Sequence, residues 1–356
     1  MTDWNVDFDV PTLLLGALIV VVVVSVIVAM STSGSAFGVY NRDWEGTTEL
    51  RSIAHETGAE TTILTNTSQY DSAQPGETIA VILSPEAPYT PRQISSIKRF
   101  LDAGGTLLLA EDFGPHSNPL LTELGVTARF DGRLLRDARN HHRSSALPIA
   151  RNVSNHPRVR GVEEITLNYG TAVIPNDGRI LVTTSEFGYV DANSNGQLDD
   201  DESLNPFPVL VTERVGNGQI LLLGDPSVLI NVMLDRPGNR ALLVALLSDY
   251  EWVLLDYSHS GQLPPLAVAL TALRGSPFAQ IILGLIVIGV FAVVEGFSSR
   301  SIPLDRSSPE DDGTASHRRQ RMITYLEYRH PHWEEERIRR VVNSVLRNRD
   351  QFDNND

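Results

Sequence analysis

Two uninterrupted apolar runs dominate the pattern of hydrophobic and polar positions, Leu13 to Met30 over 18 residues and Phe278 to Val294 over 17 residues. At 1.5 Å rise per residue each comes close to the roughly 30 Å hydrocarbon thickness of a bilayer, and neither carries a polar face, so the pattern predicts two transmembrane helices. Between the runs the pattern changes. Ile79 to Leu83 reads as a buried strand, and Thr90-Pro91 supplies an N-cap and first helical residue. Ile94, Ile97 and Leu101 fall at helical spacing, and Gly104-Gly105 stops the helix before a strand at Thr106 to Ala110. That is a complete strand, helix, strand crossover. Upstream, Thr48 to Thr57 reads as a helix and Thr61 to Leu64 as a strand. Downstream the segments are shorter and β-rich: Val126 to Leu134, Val162 to Leu167, Arg179 to Thr184, Pro208 to Arg214 and Gln219 to Leu223, before an apolar helix at Asn239 to Leu247. The polar stretch Arg133 to Pro157 reads as loop.

The expected architecture is an α/β domain, a flavodoxin-like parallel sheet with helices on both faces and added β segments, flanked by two transmembrane helices. Its boundaries are a short cytoplasmic N-terminus (1–12), a span (13–30), an extracytoplasmic domain (31–276), a second span (278–297), a linker (298–316) and a cytoplasmic helical tail (317–356). The orientation rests on arginine bias, because Arg300, Arg306, Arg318, Arg319 and Arg321 follow the second run while the other flanks hold almost no basic residue. The first run lacks a positive n-region and exceeds the usual signal-peptide core, which favours an uncleaved anchor over a leader.

Charge sharpens this picture. The net charge is −15, and residues 31–276 hold 18 basic against 29 acidic residues, a surface that repels nucleic acid and anionic lipid. Lys98 is the single lysine among 29 basic residues. Such a bias fits a salt-adapted, halophilic archaeal proteome, and GC-rich codons favour arginine too. Cysteine is absent, which excludes disulfides, thiolate metal sites and a cysteine nucleophile.

Three stretches carry a family resemblance: Tyr89 to Gln93 with Phe100 to Leu108, then Gly216 to Ser227, then Trp252 to His259. They resemble the domain of unknown function 4350 family over most of residues 36–297. The resemblance implies a flavodoxin-type sheet related to class I glutamine amidotransferases, a membrane anchor, and genetic association with MoxR-type AAA+ ATPases, hence such an ATPase as a cytoplasmic partner. In the family pattern an acidic residue follows the position of Asp256 and two histidines come close behind. Tyr257 and the lone His259 depart from it.

The sharpest motif is Asp191-Ala192-Asn193-Ser194-Asn195-Gly196-Gln197-Leu198-Asp199-Asp200-Asp201-Glu202, which fits a twelve-residue calcium loop without a gap. Calcium takes six to eight oxygen ligands, and here Asp191, Asn193, Asn195, Gln197 through its carbonyl, Asp199 and Glu202 supply them around Gly196. The competing reading is an acidic surface loop. The flanks are not two helices, so Ca²⁺ is expected in a structural role.

Glu111, Asp112 and Asp225 follow strand ends and are the candidates to face a ligand crevice, Asp225 also reading as a helix N-cap before Pro226. His141, His142, His156 and His259 lack metal spacing and read as surface loop residues. No Gly-x-Ser-x-Gly elbow lies within the domain, and Ser33 sits in a linker. The expected function is a non-enzymatic, membrane-anchored binding or scaffold module with a calcium loop, linking an external domain to a cytoplasmic partner. The alternative is an extracytoplasmic hydrolase or carbohydrate-processing enzyme using carboxylates at the sheet edge. In the tail, Ile323, Leu326, Ile338, Val341, Val342, Val345 and Leu346 form an apolar stripe broken at His330-Pro331-His332, suited to self-association, a partner or a membrane surface.

Overall fold

The computed structural model describes residues 35–260 and 315–352 continuously, together with isolated positions between 14 and 26 and between 265 and 288. It divides into two compact units, Met1–Pro277 and Phe278–Asp356. The first unit opens with helix α1 (Thr48–Glu56), strand β1 (Glu60–Leu64), two short 3₁₀ turns and β2 (Thr78–Leu83). Every residue of β2 is buried, as a central strand covered on both faces requires. Helix α2 (Pro91–Asp102) follows, its start fixed by Pro91 and by the Thr90 N–H donated to Gln93 Oε1 at 2.8 Å. Next come β3 (Thr106–Ala110), α3 (Ser117–Leu124) and the β-rich segment: β4 (Arg129–Asp137), β5 (Ile149–Ala150), β6 (Asn152–Val153), β7 (Ile165–Thr166), β8 (Thr171–Ile174), β9 (Arg179–Thr183) and β10 (Gly188–Asp191). Strands β11 (Pro208–Val215) and β12 (Gly218–Leu223), helices α4 (Asn231–Leu234) and α5 (Pro237–Leu247), and β13 (Trp252–Asp256) complete it.

The main sheet has eight strands in the order β1-β13-β2-β3-β12-β11-β9-β6. The parallel sheet with added β segments expected from the pattern takes a mixed form. Strands β1, β13, β2, β3 and β12 run parallel, while β11, β9 and β6 are antiparallel. The cause is local. Only Gly216 and Asn217 separate the paired residues Val215 and Gly218, and with Gly216 at φ +56° this two-residue turn can only join antiparallel neighbours. A three-stranded antiparallel sheet, β10-β4-β8, and the pair β5-β7 lie outside the main sheet.

Helices line both faces of the main sheet. Leu50 and Ile53 of α1 and Leu242, Leu243 and Leu246 of α5 belong to one apolar core. Ile97, Phe100 and Leu101 of α2 and Leu120, Leu121 and Leu124 of α3 belong to the other.

The two flanking transmembrane helices expected at 13–30 and 278–297 are not supported. Among the described residues no helix is long and apolar enough to cross a membrane. A span needs about 20 consecutive residues in one helix, and of these two apolar runs only isolated positions are described. The N-terminal residues 1–12 and most of the linker 298–316 lie outside the described residues.

Beyond isolated positions up to 288, the described part of the second unit is a pair of helices, α6 (Ala315–Arg329) and α7 (Glu335–Phe352). Ile338 and Val342 on α7 are buried, and the His330 ring stacks on Trp333 between the helices at 4.2 Å.

Candidate functional site

The carboxyl edge of the parallel strands gathers the polar chemistry of the first unit. Strand β3 leaves toward α3 on one face and its neighbour β12 leaves toward α4 and α5 on the other, which makes their shared carboxyl end a topological switch point. Glu111, Asp112 and Asp225 all lie there.

Their environments differ. Glu111 is buried and saturated: Oε1 accepts from the Ser84 hydroxyl and the N–H groups of Asp112 and Gly114, each at 3.0 Å, and Oε2 accepts from the Ser117 hydroxyl at 2.8 Å. Ser84 holds a left-handed backbone, φ +37°, to make this bond. Asp225 is also buried and caps the turn after β12, accepting the Ser227 N–H at 2.7 Å and the Asn168 N–H at 2.5 Å. Burial pushes its carboxyl up to about 7; the two N–H groups oppose this, and the charge of Asp112 adds to it. Asp112 is half-buried, and burial followed by the Glu111 charge raises it as well. Of the three, it alone has exposed surface.

A second cluster at the same edge was not anticipated. Asp256, at the end of β13, accepts from the Tyr70 hydroxyl at 2.8 Å and from the Ser258 N–H and hydroxyl at 2.8 and 2.6 Å. His259 Nδ1 lies 2.8 Å from Ser258 Oγ, and its ring stacks on Tyr89 at 3.8 Å. Burial raises Asp256 and Tyr70 and lowers His259. Ser258 Oγ therefore links the Asp256 carboxyl to the His259 ring. His259 is buried here and is not the surface residue its spacing suggested. The other histidines named from the sequence are scattered: His141 Nδ1 meets the Asp137 carbonyl, His142 Nε2 meets Arg236, and His156 caps a 3₁₀ turn.

The loop Asp191 to Glu202 leaves β10 with Ser194 at φ +60° and Gly196 at φ +78°. Asp191 is buried. Its Oδ1 accepts the Asn195 N–H at 3.1 Å and its Oδ2 the Gly196 N–H at 3.0 Å. Glu202 folds back so that Oε1 accepts the Ala192 N–H at 2.8 Å, and Asp199 accepts from the Asn193 and Asn195 amides, both at 2.7 Å. Gln197 donates its N–H to Asn195 Oδ1 at 2.7 Å. The loop's side-chain oxygens thus accept from N–H groups of the loop itself, around the turn at Gly196. Arg136 Nε also lies 2.7 Å from Asp191 Oδ2. Burial pushes the Asp191 carboxyl up, but Arg136 and the two N–H groups outweigh it and leave it below the usual range. Among the described residues no group of three or more His, Asp or Glu is drawn together as a ready-made metal cage.

A cleft of about 320 Å³ lies between Phe113, which follows Asp112 in sequence, and the start of this loop. Phe113 and Tyr169, both about half exposed, line it beside Arg133, and Asp191, Ala192 and Ser194 form another part of its wall. Tyr169 holds φ +61°, a costly conformation for a bulky residue. These aromatics were not singled out from the sequence; Phe113 adjoins Asp112, and Tyr169 precedes the Gly170 that opens β8.

Residues 39–247 match the family described as Domain of unknown function (DUF4350). The chain belongs to this family. No curated protein matches it. Similar solved structures include the mmIFT52 N-terminal domain, at 14% identity over 50% of this chain and 77% of that one, with a TM-score of 0.39. A thua-like protein from Bacteroides uniformis aligns at 16% identity over 56% and 79%, TM-score 0.36. Cytoplasmic Protein STM1381 from Salmonella typhimurium LT2 aligns at 13% identity over 58% and 88%, TM-score 0.37. Likeness this distant assigns no activity to this member of the family.

Proposed function

We propose that the chain is a non-enzymatic binding module that takes its ligand in the cleft between Phe113, Tyr169 and the loop Asp191 to Glu202, with calcium as a structural ion in that loop. The observation that carries this reading is the cleft itself, about 320 Å³, at the lower end of the roughly 300–1,000 Å³ typical of ligand sites. Its charges are already paired. Arg133 is held by Asp131 at 2.6 and 2.7 Å, and Asp191 by Arg136. Walls with two aromatic faces, hydrogen-bonding groups and no unpaired charge suit a neutral, hydroxylated ring better than an ion.

The hydrolase reading needs two carboxylates that reach substrate. Asp225 has no exposed surface and both its oxygens are engaged, so Asp112 stands alone.

Saturation-transfer NMR of the full chain with a panel of neutral mono- and oligosaccharides tests the proposal. Binding that is lost in Tyr169→Ala and kept in Asp112→Ala is the expected result. Hydrolysis of any panel member that disappears in Asp112→Ala would replace the binding module with the hydrolase.

A further inference from the structure

A second concavity, open to the surface and of about 350 Å³, is lined by residues 153–162, from the end of β6 into the loop before β7. It lies on the α5 face of the domain, where Val159 and Val162 enter that face's core. Its polar lining consists of Ser154, Asn155, His156 and Arg160, with no carboxylate. That is unusual in a chain of net charge −15.

The hydrogen bonding of this lining is one-sided. His156 Nδ1 accepts the Arg158 N–H at 3.3 Å, so a neutral ring carries its proton on Nε2 and presents a donor. Burial lowers the pKa of the ring, and the positive charges of Arg179 and Arg158 lower it further. Ser154 Oγ is buried and has no partner in the protein, which is costly for a hydroxyl unless a ligand or water completes it. Arg158 is committed elsewhere, to Asp249 at 3.0 Å and to the face of Tyr250. Arg160 makes no ion pair among the described residues.

We propose that this pocket binds a tetrahedral oxyanion, phosphate or sulfate, carried on a small molecule, through Ser154 Oγ, His156 Nε2 and the Arg160 guanidinium. Three donors from separate residues call for an acceptor with at least three oxygens, and guanidinium groups favour phosphate-type anions. The volume leaves room for the group that carries the anion.

The test is an NMR titration of the full chain, following the backbone amides of the loop around Ser154 to Arg160, with inorganic phosphate, sulfate and glycerol 3-phosphate, and with acetate and glycerol as controls. Saturable shifts with the three oxyanions, and none with acetate or glycerol, are expected. His156→Asn keeps an acceptor for the Arg158 N–H and removes the donor from the Nε2 position, its own amide being shorter than the ring. It and Arg160→Gln should each weaken binding roughly tenfold to a hundredfold, from the loss of one charge-assisted or buried donor. Arg151→Gln, at a surface arginine paired with Glu164, should leave binding unchanged. No saturable shift, equal binding of acetate, or equal weakening in Arg151→Gln would each overturn the proposal. A His156→Asn chain that melts as the wild type does and binds glycerol 3-phosphate undiminished would overturn it too.

Discussion

Asp225→Asn isolates the energetic consequence of burying a carboxylate at the switch point. The folded chain holds Asp225 near 7 against an ordinary value of 3.8. Between those values the folded state binds more protons than the unfolded one, so stability falls as pH rises. The benefit is fully present below about pH 4 and lost as pH passes 7. About three pKa units at 1.36 kcal/mol each make a loss of about 4 kcal/mol, or roughly 10 °C in Tm for a domain of this size. Asparagine keeps an oxygen for the Ser227 N–H but turns an amide toward the Asn168 N–H, which costs about 1–3 kcal/mol at every pH. The slope is therefore the informative quantity, not the level. Urea melts of wild type and variant from pH 4.5 to 8.5 should show a shallower decline in Asp225→Asn, with the residue of the slope coming from Asp112 and Asp256, which are also raised. Parallel pH profiles would refute the reasoning and assign Asp225 the role of an ordinary ionised cap.

Three further outcomes follow from the same geometry. Glu111→Gln places an amide donor among the hydroxyl and N–H donors of Ser84, Asp112, Gly114 and Ser117 and should cost about 3 kcal/mol in denaturant melts. Tyr169→Gly relieves a left-handed backbone at an exposed position and should stabilise the fold by roughly 1 kcal/mol while abolishing ligand binding in the cleft. Arg136→Met removes the cation beside buried Asp191, lowering stability without calcium by about 3 kcal/mol and enlarging the stabilisation that added calcium produces; equal calcium shifts in both chains would contradict this.

The parallel half of the sheet was legible because its signals are local. The Thr90-Pro91 start, the Ile94, Ile97 and Leu101 spacing and the apolar runs of β2 and β3 all lie within about thirty residues. The antiparallel half was read only as added β segments of no stated direction, for want of one signal, the two-residue turn at Gly216-Asn217, which was noticed as a motif but not used as a hairpin. Apolar length alone also misled at both flanks. Glu111, Asp112 and Asp225 were placed correctly at strand ends, yet their chemistry depends on partners no spacing reveals. Asp256 meets Tyr70 across 186 positions of sequence, and Asp225 meets Asn168 across 57. The loop Asp191 to Glu202 was legible as a turn around Gly196, whereas Arg136, 55 positions away from Asp191, was not.

Calcium in that loop is the most direct test of the account, because the loop forms part of the wall of the proposed binding cleft. With Asp191, Asp199 and Glu202 as the charged ligands and Arg136 competing, affinity is expected at the weak end, about 10⁻⁴ to 10⁻³ M. At calcium about 100 times that constant, linkage adds roughly 2.7 kcal/mol to folding. Thermal melts of wild type and Glu202→Gln, with and without calcium, should show a clear upward shift in wild type that the variant largely loses. No shift in wild type, or an equal shift in Glu202→Gln, would reduce the loop to an acidic turn and remove calcium from the account.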